Sequence, residues 1–204
     1  MLRRDNATRR RILRVALKHF AESGYPGASV QKFVDEAKIT KPTLYYYFRS
    51  KAGLYQAIID RAYDERHQLM LQAVEGKTTL SDQLVEMFGA LFEFLRGNRA
   101  LMRIAFATVF ASPGELPPNL NYLEKAGRNY QFILTLIQNA VTRGELGTEF
   151  NAEELTMGLL GMMNIYVMGF LVNPTMKLDA ETARRVTALF LHGAQASGLL
   201  TIGP

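Results

Sequence analysis

Between Thr40 and Lys51 the chain concentrates Thr40, Lys41, Pro42, Thr43, Tyr45, Tyr46, Tyr47 and Lys51 in twelve positions. Lysine donates to phosphate oxygens and to the acceptor edge of guanine, and threonine offers a base edge its hydroxyl or its methyl. Tyrosine joins a flat apolar ring to one polar tip. This is chemistry for holding a nucleic acid, not for breaking bonds. No GxGxxG, Walker loop, GxSxG or HExxH pattern accompanies it. Asp60, Asp64 and His67 fall at helical spacing and read as a solvated helix face rather than a metal site. Asp35-Glu36 and Glu153-Glu154 are adjacent, not facing, so neither resembles an acid–base pair. The chain has no cysteine, which excludes disulfides and thiolate metal sites. The expectation is a non-enzyme with no catalytic residue, no metal and no cofactor.

Charge sharpens the binding reading. The 204 residues carry a net +5, but residues 1–51 hold twelve Lys/Arg against four Asp/Glu, a local +8 that leaves −3 for the remainder. A basic end on a near-neutral body suits a polyanion, because neutralising phosphates releases counterions. An anionic membrane surface would attract the same charge, and composition alone does not separate the two. With 48% apolar residues the chain has enough material for a sizeable core. The N-terminus lacks an apolar signal stretch and no run is read as long enough to span a bilayer, which places the protein in the cytoplasm and away from membranes.

The elements that must carry the cluster are helical. Ile12, Leu13, Ala16, Leu17, Phe20 and Ala21 make an apolar stripe over Thr8–Ser23, with Arg9, Arg10, Arg11 and Arg14 in the first turns and Gly24 as the stop. Ser29 can cap a second helix whose Val30, Phe33, Val34 and Ala37 follow an i, i+3, i+4, i+7 pattern. Thr40 caps a third, with Pro42 tolerated in its first turn, and Ser50 caps a fourth from Lys51 to about Val74. Further helices are predicted near 80–96, 99–111, 119–143, 151–172 and 179–198, separated by Gly, Pro and Asn breaks. Nothing reads as a sheet. Three short helices, the last two joined by a Lys38-Ile39 turn, are the arrangement that seats a recognition helix in the major groove.

These residues resemble the DNA-binding head of the TetR family of transcriptional regulators. The likeness runs through Leu17-Lys18-His19-Phe20-Ala21-Glu22-Ser23-Gly24-Tyr25, then Ser29 to Ala37, then Ile39 to Lys51, and covers roughly residues 8–58 without a gap. Two positions depart from the family pattern, which usually has glycine at Lys38 and an acidic or larger residue at Gly53. A lysine in a left-handed turn is strained, so the geometry of that turn is where the likeness is tested. The resemblance implies that Tyr45 and Lys51 clamp backbone phosphates. Lys41 and Thr43, with Tyr46 on the same outward face, are placed to reach base edges. Ser29, Gln31 and Lys32 are candidate backbone contacts at the start of the second helix. Thr40 and Pro42 open the recognition helix, and Tyr47 is divided between contact and core.

The resemblance further implies an all-α architecture: a DNA-binding domain over residues 1–54, and a larger helical domain over 55–204 that binds an effector and pairs two copies through the last two helices. Gly158, Gly161 and Gly169 in the penultimate helix permit close helix approach, and the last helix carries Ala183, Val186, Leu189, Phe190, Gly193, Ala194 and Leu200. Candidate lining for an apolar effector pocket comes from Phe88, Phe92, Met102, Phe106, Phe110, Phe132, Met163 and Tyr166, with Asn164, Arg103 and Tyr122 to orient a ligand. The implied partners are a palindromic double-stranded operator, a small hydrophobic effector and a second copy of the chain. Repression relieved by the effector is the outcome the resemblance usually implies, with activation the alternative.

Overall fold

The computed structural model describes residues 2–112 and 114–194, and among the described residues the chain forms nine helices and no strand. They are α1 (Leu2–Gly27), α2 (Val30–Ala37), α3 (Lys41–Phe48), α4 (Lys51–Val74), α5 (Leu80–Gly97), α6 (Arg99–Val109), α7 (Leu123–Thr142), α8 (Ala152–Val172) and α9 (Ala180–Ala194). The all-α expectation holds. Two compact units divide the chain: one takes it up to Glu65 together with Asn98–Lys125, the other takes Arg66–Gly97 and the chain from Ala126 onward.

Several boundaries differ from expectation. The span given as α1 begins at Leu2, and at Gly24 the backbone leaves helical values (φ 66°, ψ 178°), so the regular helix ends there as expected and a separate short turn containing Pro26 follows. Glycine takes this positive φ without the steric cost another residue would meet. α7 starts at Leu123 rather than 119, because Asn119 lies in the left-handed region at φ 62° after two prolines. α9 is described only as far as Ala194, so Leu200 and the predicted 195–198 extension lie outside the described residues.

In the first unit, Ile12, Ala16, Phe20, Phe33, Leu44, Leu54 and Ile58 are buried. Phe20 is the hub, 5.2 Å from Phe33 and 5.0 Å from Tyr55 in edge-on contacts. α6 packs against α1, and the Arg103 guanidinium donates to the Ala21 carbonyl near the end of α1. Tyr55 of α4 and Thr108 of α6 join their hydroxyls at 3.0 Å in the buried interior. The segment before α7 is fastened to α4 by polar groups. Gln56 donates from Nε2 to the Asn121 carbonyl (2.6 Å) and accepts the Asn121 amide at Oε1 (2.9 Å). Lys125 bridges Asp60 (3.3 Å) and Asp64, and Tyr122 stacks on Tyr63. Burial opposes the Lys125 charge, but its two carboxylate partners prevail and raise its pKa. The helix face once considered for a metal is thus held by an ammonium.

In the second unit α5 packs on α9, with lesser contacts from α8 to both. Leu80, Leu84, Met87, Phe88 and Phe92 of α5 and Ala183, Val186, Thr187 and Phe190 of α9 are buried. Each large apolar side chain so covered contributes on the order of 1.5–3 kcal/mol. The Gly147 amide donates to the Ala194 carbonyl at 3.2 Å, tying the α7–α8 connection to the end of α9. Asn151 accepts the Glu154 amide while the Glu154 carboxylate accepts the Asn151 amide, a reciprocal cap that starts α8.

The expectation that no run could span a bilayer is corrected by α8. It is 21 residues long with a mean hydropathy of 1.8 over its best 18-residue window. The glycines and Asn164 that break it up by eye do not lower that average enough. Much of its apolar surface is uncovered: Met157, Ile165 and Val172 are 62%, 59% and 84% exposed, and Leu189 of α9 is 63% exposed.

Candidate nucleic-acid interface

The second and third helices are built by local rules. Ser29 occupies the extended cap position of α2 (φ −111°, ψ 129°), though its side chain makes no capping hydrogen bond. Phe33, Val34 and Ala37 face inward, leaving Gln31 and Lys32 exposed. α2 ends at Lys38, which sits at φ 50°, ψ 54°. The Lys38 amide donates to the Asp35 carbonyl (3.2 Å) and the Ile39 amide to the Val34 carbonyl (3.0 Å). That pair of bonds is the Schellman ending, which usually employs glycine. The turn therefore keeps its geometry, and Lys38 carries the strain of a side chain in the left-handed region.

Thr40 caps α3: its hydroxyl oxygen accepts the Thr43 amide at 3.3 Å and lies 2.9 Å from the Thr43 hydroxyl. Pro42 sits in the first turn, where a missing amide costs nothing. Leu44 and Phe48 are buried, which turns the rest of this eight-residue helix outward. Lys41 and Pro42 are exposed, Tyr46 is 75% exposed and Tyr45 43%, while Tyr47 and Thr43 are half-buried. The Tyr46 ring rests edge-on against Tyr47 at 5.1 Å. One rigid face thus presents a cation, a proline and two phenols to the outside.

The joint to α4 is unusual. Arg49 has φ 61°, ψ −38°, and the Ser50 amide donates back to the Phe48 carbonyl at 2.6 Å, a γ-turn of the uncommon positive-φ hand. A β-carbon at position 53 would run into that same carbonyl oxygen. Gly53, one of the two departures from the family pattern, is what admits the turned-in carbonyl. The Ser50 Oγ accepts the Gly53 amide at 2.9 Å, as expected of a cap.

Lys51 is half-buried. Its ammonium lies 4.6 Å from the centre of the Tyr25 ring and donates to the Pro26 carbonyl at 3.3 Å. Burial lowers its pKa. Lys18 and His19 of α1 meet Glu36 of α2 at 2.9 and 2.8 Å, which locks the two helices together. Arg9, read from sequence only as one of four first-turn arginines off the apolar stripe, has its guanidinium 5.3 Å from the centre of the Phe48 ring. Its signal was present: Arg9 precedes Ile12 and Ala16 by three and seven positions, on the core side of a basic turn.

A helix of exposed donors and rings, seated by a left-handed turn against a second helix and fixed by a third, has the form of a major-groove reader. Residues 12–58 match the model of the bacterial regulatory proteins of the tetR family. Those residues make the head of the chain a DNA-binding domain of the TetR family. It is 29% identical over 196 residues to the HTH-type transcriptional regulator UidR of Escherichia coli K12, covering 95% of this chain and 93% of that one. Among solved structures it is similar to a bacterial regulatory protein in the tetR family from Rhodococcus RHA1, with a TM-score of 0.75 at 16% identity over 94% and 98% of the two chains. It is also similar to the transcriptional regulator FadR of Bacillus subtilis in complex with stearoyl-CoA, with a TM-score of 0.72 at 19% identity over 90% and 97% of the chains. With this TetR-family head the chain is accordingly a DNA-binding transcriptional regulator.

The residues expected to line an effector pocket fall into two sets. Phe88, Phe92, Phe132, Met163, Asn164 and Tyr166 belong to the second unit, where Phe88, Phe92 and Met163 are buried and Phe92 and Tyr166 have ring centres 6.1 Å apart. Phe132 faces the His67 ring at 5.8 Å, and Asn164 is exposed on α8. Met102, Arg103, Phe106, Phe110 and Tyr122 belong to the first unit. There Arg103 binds Ala21, Tyr122 stacks on Tyr63, Met102 is buried, Phe106 is half-buried and Phe110 is 76% exposed. Sequence spacing gave no sign that Arg103 would serve a backbone carbonyl of α1.

Proposed function

We propose that the protein is a homodimeric repressor, acting in the cytoplasm, that a small hydrophobic effector releases from a palindromic operator. In this reading residues 1–54 form the DNA-binding domain and 55–204 the effector-binding and dimerisation domain. The observation that carries it is the outward face of α3, where Lys41 and Tyr46 stand exposed on a helix whose opposite side is anchored by Leu44 and Phe48. Lys41 and Thr43 read base edges; Tyr45, Tyr47 and Lys51, with Ser29, Gln31 and Lys32, hold the backbone. Lys51 exchanges its Pro26 carbonyl for a phosphate at the start of α4, where the helix dipole adds to its charge.

The uncovered apolar residues of α8 and α9 support pairing of two copies through these helices, and two heads suit two half-sites. Phe92, Met163 and Tyr166 supply an apolar, polarisable surface for an effector. The FadR structure holds stearoyl-CoA, an effector with a long apolar chain. Release requires that the effector prefer the dimer conformation that does not fit DNA, so effector and operator weaken each other reciprocally.

Selection of bound duplexes from a randomised pool, at near-physiological salt with excess competitor, tests the reading. A palindromic motif is expected. On that duplex Tyr45→Ala and Lys51→Ala should weaken binding to all sequences alike, whereas Lys41→Ala should relax preference at one position of each half-site by about 1–3 kcal/mol. Recovery of no motif by folded protein would refute it.

A further inference from the structure

We infer that the first half of α1 is a second DNA-contacting element, in which Arg10, Arg11 and Arg14 neutralise phosphates beside the recognition-helix footprint and Arg9 positions them there. The inference rests on the DNA-binding reading above and extends it to a basic ridge that begins ahead of residue 12, where the family match starts.

Residues 1–14 hold six arginines and one aspartate, a local +5 that equals the net charge of the whole chain. No acidic residue occurs from Asn6 to Ala21. Arg10, Arg11 and Arg14 are exposed, and no ion pair or hydrogen bond engages their side chains among the described residues. Lys18, the next step on the same outward stripe, is treated differently: Glu36 neutralises it at 2.9 Å. Arg10 and Arg14 lie one turn apart on a helix, where like charges repel. A ridge that keeps this repulsion unrelieved is matched to a polyanion from outside.

Arg9 supplies the address. Its guanidinium rests on Phe48, the last residue of α3, so the first turns of α1 are held beside the end of the recognition helix and the start of α4. The ridge therefore starts one residue along α1 from a side chain that touches the end of α3. A cation–π contact fixes the helix while leaving its outward arginines free. Arginine forks suit phosphate oxygens, and a sequence-neutral set of contacts raises affinity and sets register without reading bases.

The test compares wild-type protein with the triple variant Arg10→Gln, Arg11→Gln, Arg14→Gln on the selected duplex, measuring affinity from low to moderate salt. Each lost phosphate contact removes ~0.9 from the slope of log K against log salt, so three reduce it by roughly 2.7 per bound head. The base preference should be unchanged, because these residues touch no base. Lys177→Gln, an exposed charge removed elsewhere, should leave the slope as it was. A triple variant with a native far-UV spectrum and a wild-type slope overturns the inference and leaves the recognition helix as the reader. A shallower slope accompanied by altered base preference also overturns it, since the ridge would then be reading sequence. A wild-type protein that prefers no duplex overturns this inference together with the DNA-binding reading.

Discussion

Thr108→Val should destabilise the protein more than Tyr55→Phe, although each removes one hydroxyl from the same hydrogen bond. Thr108 is 1% exposed and Tyr55 4%, so neither loss is made good by water. The Thr108 hydroxyl has one proton and donates it to the Ile104 carbonyl at 2.9 Å. Tyr55 must then be the donor in the 3.0 Å contact. Removing the phenol oxygen leaves Thr108 still donating to Ile104 and forfeits one ordinary bond, about 1 kcal/mol. Removing the threonine oxygen strands a buried phenolic donor, which costs about 1–3 kcal/mol. Burial already drives the Tyr55 pKa upward, so ionisation offers no escape near neutrality. Urea unfolding at fixed protein concentration measures both values, and concentration must be held because any dimer couples association to stability. In the double variant the second substitution should cost less than it does alone, giving a coupling of about 1 kcal/mol or more. If Tyr55→Phe costs as much as Thr108→Val, the assigned direction of the proton is wrong.

Two further outcomes follow from the head. Lys38→Gly should raise stability by roughly 0.5–1 kcal/mol, since glycine meets no steric penalty at φ 50° but adds backbone entropy to the unfolded chain; a lower midpoint in the same urea titration would contradict this. The hydrogen bond from Lys18, and next that from His19, lowers the pKa of Glu36 below its usual 4.5, so its contribution is present above that value and is lost as pH falls through the lower, folded-state value. Glu36→Gln should flatten this part of the stability curve on the acid side of the usual carboxylate value, and an unchanged acid limb would remove Glu36 from the account.

The head was legible because local chemistry dictates it. A cap at Thr40, a proline in the first turn and two apolar residues four apart suffice to define α3 and its outward face. The turn at Lys38 was less legible: its unfavourable residue put the geometry in question, and only the structure shows that the backbone amides of Lys38 and Ile39 close it in the ordinary way. Interactions across long sequence separations were not legible. Nothing in the spacing of Gln56 and Asn121, or of Asp64 and Lys125, says that they meet across more than sixty residues. The bond from Arg103 to the Ala21 carbonyl of another helix was hidden for the same reason: its apolar neighbours in sequence suggest a ligand and say nothing of a partner 82 residues away. The aromatic and methionine residues were recognised as apolar, but sequence carries no rule that assigns Phe92 and Phe106 to different compact units.

The composition of α8 has a consequence for the life of the chain before it folds. From Leu155 to Val172 the segment has no charged residue. On emerging from the ribosome it therefore shows targeting factors the same hydropathy as a membrane anchor, and hydropathy is the property by which insertion is decided. In the folded second unit α5, which precedes it in the chain, and α9, which follows it, lie against this segment. Until α9 has followed, the segment has only the part of its cover that α5 provides.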